Sequence, residues 1–598
     1  MKETNYRHVW DLDKLFSDGS ESIQFRKHIK HLEIKVYELE KKLNFFSTPR
    51  EINDSFKVSE LIDYIAGIRI NLSQANSFIT CLLGQNSKDL NATTLRGKTS
   101  SINARFESAL KRMQSILVNT NQHLWEDLLT TKVLNKNKFI LNEWRKKAEL
   151  HFSDEEEKLV SDLMIDGYHA WGQLYNSLIS SIRVNVHIDG EKKELSVGQA
   201  INLRSHPDEE VRKESHNVLQ DIWKEKEELF AKILNHIAGF RLQVYKKRGV
   251  ENVLTEPLIE NRLKEQTLNA MWTAVNKYKK PFTNYLIHKA KMNGNEKMHS
   301  YNFWAPVTNS NLKIEYDDAV DFILEHFCQF GTELESFTRQ AFNNGWVEVE
   351  DRPNKSTAAF CAGFPLSGES RVLMTYGDRI TNVLTLAHEL GHAFHNHAMK
   401  HVDGLNRYYP LSIAETASTF SEMIILDAAI ENAESTNEKL LLLDEKIKRS
   451  VMNFINIQSR FVFEKNFYEE RKTGFVSSSR LNKLMEEALN ECYEGSLDNV
   501  PIHSWVWTPH YYITKSPFYN FPYTFGYLFS ISIYAKSKEK GKEFEKDYLE
   551  LLRDSGSMST EDLVMKHLEE DITSEDFWEK GIYLCVKDAE EFINLTSS

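Results

Sequence analysis

Cysteine is scarce in this chain of 598 residues: five in all, Cys81, Cys328, Cys361, Cys492 and Cys585, with no CxxC pair and no short-range spacing. That pattern excludes a disulfide framework and a thiolate metal site, and reads as reduced thiols. Glycine and proline are also few, 24 and 12, which fits a compact helical protein with few long loops. No window approaches the roughly 20 uninterrupted apolar residues that a membrane span requires. The opening, MKETNYRHVWDLDKLF, is polar from the start and has no apolar leader core or cleavage site. Basic charge is in deficit as well: 74 Lys and Arg against 87 Asp and Glu leave a formal charge of -13. Phosphate recognition needs clustered Lys and Arg, so a nucleic-acid surface is excluded. Together these absences predict a cytoplasmic protein with neither nucleic-acid nor membrane partners. Oligomeric state is not legible, because an exposed helical face reads the same against solvent or a second subunit.

What is present is ordinary globular composition, 41% hydrophobic and 27% charged, in a chain long enough for two to four lobes or one large layered domain. Most of it reads as amphipathic helix. In residues 25–45, Ile29, Leu32, Val36, Leu39 and Leu43 recur every three or four positions, and similar runs cover 58–83, 100–117 and 155–182. A break comes at 182–195, where β-branched residues alternate around Asp189-Gly190, a dipeptide suited to a tight hairpin turn. Helix is expected to resume at Ser205, with Pro207 and three acids in its first turn. A soft boundary near 195 divides an N-terminal helical region, 1–195, from a second helical region, 196–598. Two short strands, 357–364 and 371–376, are expected around the turn PLSGES. The expected class is therefore mainly α, with a small β-sheet just ahead of the segment that carries the chemistry.

That segment is TLAHELGHAFHNHAMKH, residues 385–401. At 100° per residue, Val383, Leu386, Ala387, Leu390, Phe394 and Ala398 form one buried stripe, while His388, His392 and His395 lie together on another face. His388 and His392 are one turn apart, roughly 6 Å of rise, so their rings can converge on one ion with Glu389 beside them. This is H-E-x-x-H, the arrangement of two neutral nitrogen ligands and a general base found in zinc peptidases. Gly391 would let another backbone approach closely. His395, a further turn away, is too far to share the ion comfortably and is expected in the second shell or a subsite. The metzincin extension would need Gly at 395 and His at 398, where the chain has His395 and Ala398, so that class is excluded. His397 and His401 are expected to be surface residues. A catalytic zinc takes three protein ligands and keeps one open position. The third ligand is expected from 411–427, LSIAETASTFSEMIILD, where Glu415 and Glu422 share a face and Ala414, Ala417, Ser418 and Ser421 are small. Glu415 is the candidate ligand, although Ser412 to Glu415 also reads as a capping box. Glu422 is the candidate acceptor that orients a ligand histidine.

HELGHAFH, followed about two dozen residues on by AETASTFSE, resembles the thimet oligopeptidase superfamily, and WDLDKLF at 10–16 looks like its oligoendopeptidase F branch. The resemblance extends over nearly the whole chain and is most specific from 357 to 422. It implies a two-lobed helical metallopeptidase with a deep substrate channel, one Zn2+ per chain on His388, His392 and Glu415, and water activated by Glu389. It also implies a histidine and tyrosines in a C-terminal segment ahead of a Gly-Tyr pair, matched here by Gly526-Tyr527. His510, Tyr519, Tyr523 and Tyr527 are the expected oxyanion donors, with core packing as the competing reading of an aromatic-rich stretch. The run Arg371, Val372, Leu373, Met374, Thr375 and Tyr376 is either an edge strand that pairs with an extended substrate peptide or a plain structural hairpin.

The expected function is a zinc endopeptidase that hydrolyses internal bonds of short unfolded oligopeptides. Two alternatives stay open: a zinc carboxypeptidase or dipeptidyl carboxypeptidase on the same scaffold, and a non-catalytic peptide-binding protein with a structural metal. Glu389 speaks against the last, since a structural site needs no base beside its ligands.

Overall fold

The computed structural model describes residues 6–308 and 313–597. Helices make up most of this, as expected. The strands are short: β1 (Arg183–Ile188), β2 (Glu191–Ser196), β3 (Met298–His299), β4 (Val347–Glu348), β5 (Phe360–Phe364), β6 (Glu369–Leu373) and β7 (Leu497–Asp498). Packing sorts the chain into two compact units, each built from three separate stretches. The first comprises Met1–Asp154, Asn311–Ala428 and Lys536–Asp571; the second comprises Glu155–Ser310, Ala429–Ala535 and Ile572–Ser598.

The first unit starts as three long helices, Ile23–Phe45, Ser55–Gln85 and Leu90–Val118, joined by short connections that make neighbours antiparallel. The heptad-like spacing of Phe25, Ile29, Leu32, Val36, Leu39 and Leu43 places all six in the core. Ser22 caps the first helix by accepting from the Phe25 N–H at 3.2 Å, satisfying one of the donors that a helix start leaves open. The same core takes in Ala362, Phe364 and Leu373 of the sheet. Gly84 lies so close to it that a side-chain carbon there would meet the Phe360 ring at 2.8 Å.

That sheet runs β4-β6-β5, with β6 parallel to β4 and antiparallel to β5. The N-terminal WDLDKLF stretch docks against it. Trp10 donates its indole N–H to Gln85 at 2.8 Å, Asp11 donates its N–H to the Gly345 carbonyl, and the Asp11 carbonyl accepts from Arg371 Nε and Nη2 at 3.1 and 3.0 Å. Helix Ile380–Ala398 packs on β5 and β6.

In the second unit the hairpin β1–β2 turns at Asp189-Gly190, both at positive φ (54° and 79°), as the dipeptide predicts. It packs on helix Glu209–Lys247, whose start is capped by Asp208 accepting from the Glu210 N–H at 2.9 Å. Helical pattern resumes earlier than Ser205, in the short helix Val197–Asn202 that Ser196 caps by accepting from the Gln199 N–H at 3.3 Å, and the long helix follows at Glu209. The run 155–182 is interrupted by a π turn, Ile165–His169. Residue 195 falls inside this unit, and the nearest change of unit is between Asp154 and Glu155. The hairpin interrupts the helical pattern without ending a unit, because its strands pack on the helix that follows.

Candidate active site

Helix Ile380–Ala398 buries the predicted stripe: Val383, Leu386, Ala387, Leu390 and Phe394 are all fully buried and Ala398 nearly so. Its opposite side presents His388 and His392, both partly accessible, with ring centroids 5.0 Å apart. The segment after it is broken at the position that matters. Leu411–Ala414 is a single helical turn, Glu415 stands outside it at φ -89°, ψ 5°, and Thr416–Glu431 continues as helix. The break turns the Glu415 carboxylate toward the histidines, and Ser418 steadies it by donating to Glu415 Oε2 at 2.7 Å.

The two segments come together at Gly391. A Cβ there would lie 2.3 Å from the Ala417 carbonyl oxygen and 2.6 Å from Ser418 Cα, so only glycine permits this approach. As a result, His388 Nε2 is 3.2 Å and His392 Nε2 is 3.5 Å from the same oxygen, Glu415 Oε2. One ligand atom from each of His388, His392 and Glu415 lies within 4.8 Å of the others. Tetrahedral zinc with bonds of roughly 2.05 Å separates its ligands by about 3.3 Å, so the residues present fit a zinc ion. His388 is oriented from behind: its Nδ1 is 3.2 Å from Glu422 Oε2, and Glu422 is buried. A carboxylate on the second ring nitrogen fixes the tautomer that leaves Nε2 free to ligate.

Glu389 is buried beside these groups, with its Oε2 lacking any hydrogen-bond partner. Burial pushes its carboxyl up to about 7; His388 works against the rise and the neighbouring Glu415 adds to it. Burial likewise opposes ionisation of Glu415, but the His388 hydrogen bond, the charges of both histidines and the Ser418 hydroxyl together take it down to about 2. Burial lowers His392 to about 4. At neutral pH the site therefore holds a neutral imidazole, an ionised Glu415 and a Glu389 poised between its two states.

His395 does not belong to this shell. It is fully buried, its Nε2 lies 3.0 Å from Ser555 Oγ, and its ring stacks on Tyr409 at 4.1 Å. It shares the angular position of His388 but lies about two turns further along the helix, where Ser555 and Tyr409 close over that side. His397 is half-buried and meets Glu333 at 3.0 Å, whereas His401 is exposed.

The strand-pairing role expected of 371–376 is also corrected. β6 is the middle strand, with both edges occupied, and Arg371, Val372, Leu373 and Met374 are buried. Arg371 holds the Asp11 carbonyl and pairs with Glu369 at 2.9 Å, and the Tyr376 hydroxyl donates to the Ile314 carbonyl. Alongside β4 run backbone bonds to His8 and Asp11, so β5 is the open edge among the described residues. Its Gly363 carbonyl accepts from Ser77 Oγ at 2.7 Å.

In the second unit, three of the four C-terminal candidates assemble. His510, Tyr519 and Tyr523 form a triangle with ring centroids 5.8, 5.6 and 5.7 Å apart, and all three are partly accessible. Burial, reinforced by the charge of Arg460, lowers His510 to about 4. Pro522 is the second residue of helix Phe521–Lys540, where its missing N–H costs nothing. Tyr527, one turn further, is buried and its hydroxyl lies 3.0 Å from Ser450 Oγ, which takes it out of the donor group. One neighbour of the site, Ser418, was legible in the sequence only as a small residue.

Residues 202–584 match the model of Peptidase family M3, and 117–183 match that of Oligopeptidase F. The interval between the two matches brackets residue 195. An oligoendopeptidase F homolog of Borreliella burgdorferi is 24% identical over 588 residues, 93% of this chain and 92% of that one. Oligopeptidase PepF of Bacillus subtilis is 24% identical over 74% of this chain and 67% of its own. Among solved structures, a protein from Chlamydophila abortus superposes with a TM-score of 0.84 at 20% identity, covering 98% of both chains. Oligoendopeptidase-F from Enterococcus faecium gives 0.70 at 18%, over 96% of this chain and 99% of its own. With well over half its length matching that family model, the chain is a member of peptidase family M3.

Proposed function

We propose that the protein is a zinc-dependent oligoendopeptidase that cleaves internal bonds of short, unfolded peptides. The observation that carries this reading is the convergence of His388, His392 and Glu415 within 4.8 Å, with the buried Glu389 carboxylate beside them. His388, His392 and Glu415 would hold a zinc ion, which would supply Lewis acidity toward the scissile carbonyl and make water nucleophilic near neutral pH. Glu389 takes the proton of the attacking water and returns it to the departing amine. A carboxyl raised to about 7 by burial suits both directions of that transfer. Glu422 keeps His388 in the ligating tautomer, and Ser418 fixes which Glu415 oxygen faces the histidines. His510, Tyr519 and Tyr523 are assigned as donors to the tetrahedral oxyanion, supported by their clustering and partial exposure within their own unit.

Backbone recognition by strand addition is assigned to the open edge of β5 in place of the internal β6. The restriction to short unfolded peptides, the stoichiometry of one zinc per chain and a cytoplasmic location are carried over from the family resemblance and the composition. All five cysteines are free, in keeping with a reducing compartment. No described helix is long and apolar enough to cross a membrane.

The test is cleavage of an internally quenched peptide of about ten residues, blocked at both ends, by wild type and Glu389→Gln, with metal content measured on both. Internal cleavage by wild type, lost by several orders of magnitude in a variant that still binds one zinc, is the expected result. Zinc in both proteins without turnover in either would remove the peptidase reading. Cleavage only of peptides with a free C-terminus would move it to the carboxypeptidase alternative.

A further inference from the structure

A second concavity lies wholly within the second unit. Residues from 200–223, 300–304, 452–460 and 493–507 enclose a cavity of about 150 Å³, room for on the order of ten waters at roughly 15 Å³ each, or for one amino-acid residue. Its walls are mainly aromatic and aliphatic, including Trp223, Trp304 and Trp507, yet they also contain three arginines and a histidine and no Asp or Glu. In a chain whose acids outnumber its bases 87 to 74, that is an unusual charge balance for a concave surface.

The arginines are not equivalent. Arg212 is fully engaged by Asn302 Oδ1 and the carbonyls of His206 and Pro207. The guanidiniums of Arg204 and Arg460 have no hydrogen bond or ion pair among the described residues, although the Arg460 carbonyl accepts from the Tyr511 hydroxyl at 3.3 Å. The Arg204 guanidinium lies 4.5 Å from the centre of the Trp304 ring. Lys448, 5.6 Å from the same ring, is taken by Asp444 and Glu445, so the nearby carboxylates are already paired. Burial depresses the ionisation of both free arginines, and their mutual repulsion adds to this at Arg204. Two guanidiniums that cannot discharge, both lining one indole-walled cavity, lower their energy when an anion enters it.

An acceptor in the same cavity narrows the anion. Asn456, at the end of a π turn (Met452–Asn456), donates Nδ2–H to the Tyr493 hydroxyl at 3.0 Å, while its Oδ1 is buried without a partner. Turns of this kind frequently mark functional positions. A phosphate monoester offers that oxygen no donor at neutral pH, whereas a peptide supplies an N–H next to its carboxylate. Arg460 also acts electrostatically on His510, Tyr511 and Tyr523, which ties the cavity to the proposed donor group.

We propose that this cavity takes a peptide carboxylate between Arg204 and Arg460, with Asn456 Oδ1 accepting an N–H of the same residue and the indoles covering its side chain. The proposal rests on the oligopeptidase reading and specifies the substrate class as peptides ending in, or carrying, an acid next to an apolar residue.

The test measures affinity rather than turnover, using the full-length, zinc-loaded Glu389→Gln protein and three forms of one eight-residue Leu- and Phe-containing peptide. One form ends in a free carboxylate, one in an amide, and one in an amide with Glu at the penultimate position. At a net charge of -13 the protein disfavours acids in general, so any preference for them is diagnostic. The expected result is a Kd at least tenfold lower for an acidic form than for the plain amide, a ratio that falls to within twofold on adding Arg460→Gln. Whichever acidic form gains identifies a terminal or side-chain carboxylate as the source. Arg204→Gln, at a more exposed position, must reduce the same ratio, and thermal midpoints certify that each variant folds. Equal affinities for the three forms, no binding of any, or a preference that survives both arginine changes overturns the proposal. Failure of the wild type to cleave would remove the peptidase reading and leave these affinities standing.

Discussion

Replacing Gly391 by alanine tests whether the metal centre depends on helix approach. The added Cβ would sit 2.3 Å from the Ala417 carbonyl oxygen and 2.6 Å from Ser418 Cα, whereas ordinary contact begins near 3.4 Å. The obstacle is backbone and cannot rotate aside, so residues 416–418 must recede by about 1 Å, the difference between those distances. Glu415 is the adjoining residue and moves with them. Overpacking of this kind costs about 1–3 kcal/mol, partly offset by about 1 kcal/mol of helix propensity gained on Gly→Ala, so the variant still folds. Metal–ligand distances tolerate only about 0.2 Å, and about 1 Å of misplacement costs on the order of 100-fold in rate. The expected phenotype is a thermal midpoint within a few degrees of wild type, together with zinc affinity and kcat each lower by about two orders of magnitude. Zinc titration against a competing chelator and steady-state cleavage read the two quantities. Gly67→Ala, mid-helix with no atom within 4 Å of its Cβ position, is the control and should be neutral or slightly stabilising with full activity. If Gly391→Ala binds zinc within threefold of wild type and cleaves at the wild-type rate, the close approach does not set the ligand geometry.

Three further outcomes are expected. Glu422→Gln replaces the anionic acceptor at His388 Nδ1 and should weaken zinc binding about 10–100-fold, with most of kcat recovered at saturating zinc; unchanged affinity would refute the orienting role. Tyr523→Phe should lower kcat by about 10- to 1,000-fold with little change in KM, whereas Tyr527→Phe, which loses the hydroxyl's contacts with Ser450 and Cys585, should cost about 1–2 kcal/mol of stability and leave kcat intact. The reverse pattern would exchange their roles. Burial raises Glu464 to about 7 against the opposing charge of Arg241 and the hydrogen bonds from Phe518 N–H and Asn520. Between about pH 4.5 and 7 the folded chain therefore holds a proton that the unfolded chain has released, and stability falls as pH rises through that window, by at most about 3 kcal/mol. Urea midpoints should fall more between pH 5 and 7.5 in wild type than in Glu464→Gln, where the likewise raised Glu389 still titrates in that window; equal slopes in both proteins would contradict it.

The helices and the two-histidine pair were legible because they are local. A 3.6-residue period names the buried side of helix Ile380–Ala398, and one turn of rise is enough to bring two imidazoles to one ion. Glu415 could be nominated because small residues around it signal a close helix, although the break that aims its carboxylate, φ -89° between two helical segments, leaves no mark in the pattern. What could not be read depends on distant partners. His395 shares the angular position of His388 on a helical wheel, but Ser555 and Tyr409 claim it. Strand order was equally hidden: β6 is central because β4, some twenty residues earlier in the chain, pairs along its other edge. An alternating sequence does not reveal which of its edges is filled.

The same distinction explains how the centre is layered. The groups assigned as ligands, His388, His392 and Glu415, are partly accessible, while Glu389 and Glu422 are buried around them. Accessible ligands allow a substrate carbonyl to approach, whereas a base needs a low-dielectric surrounding to be raised toward neutral pH, and an orienting carboxylate needs confinement to hold one tautomer. Local periodicity supplies only the first ligand pair. Delivery of the third candidate ligand depends on a contact between two helical segments, at the position where Gly391 lacks a side chain. Precision at this site is thus a property of tertiary packing, even though its signature motif spans a single turn of helix.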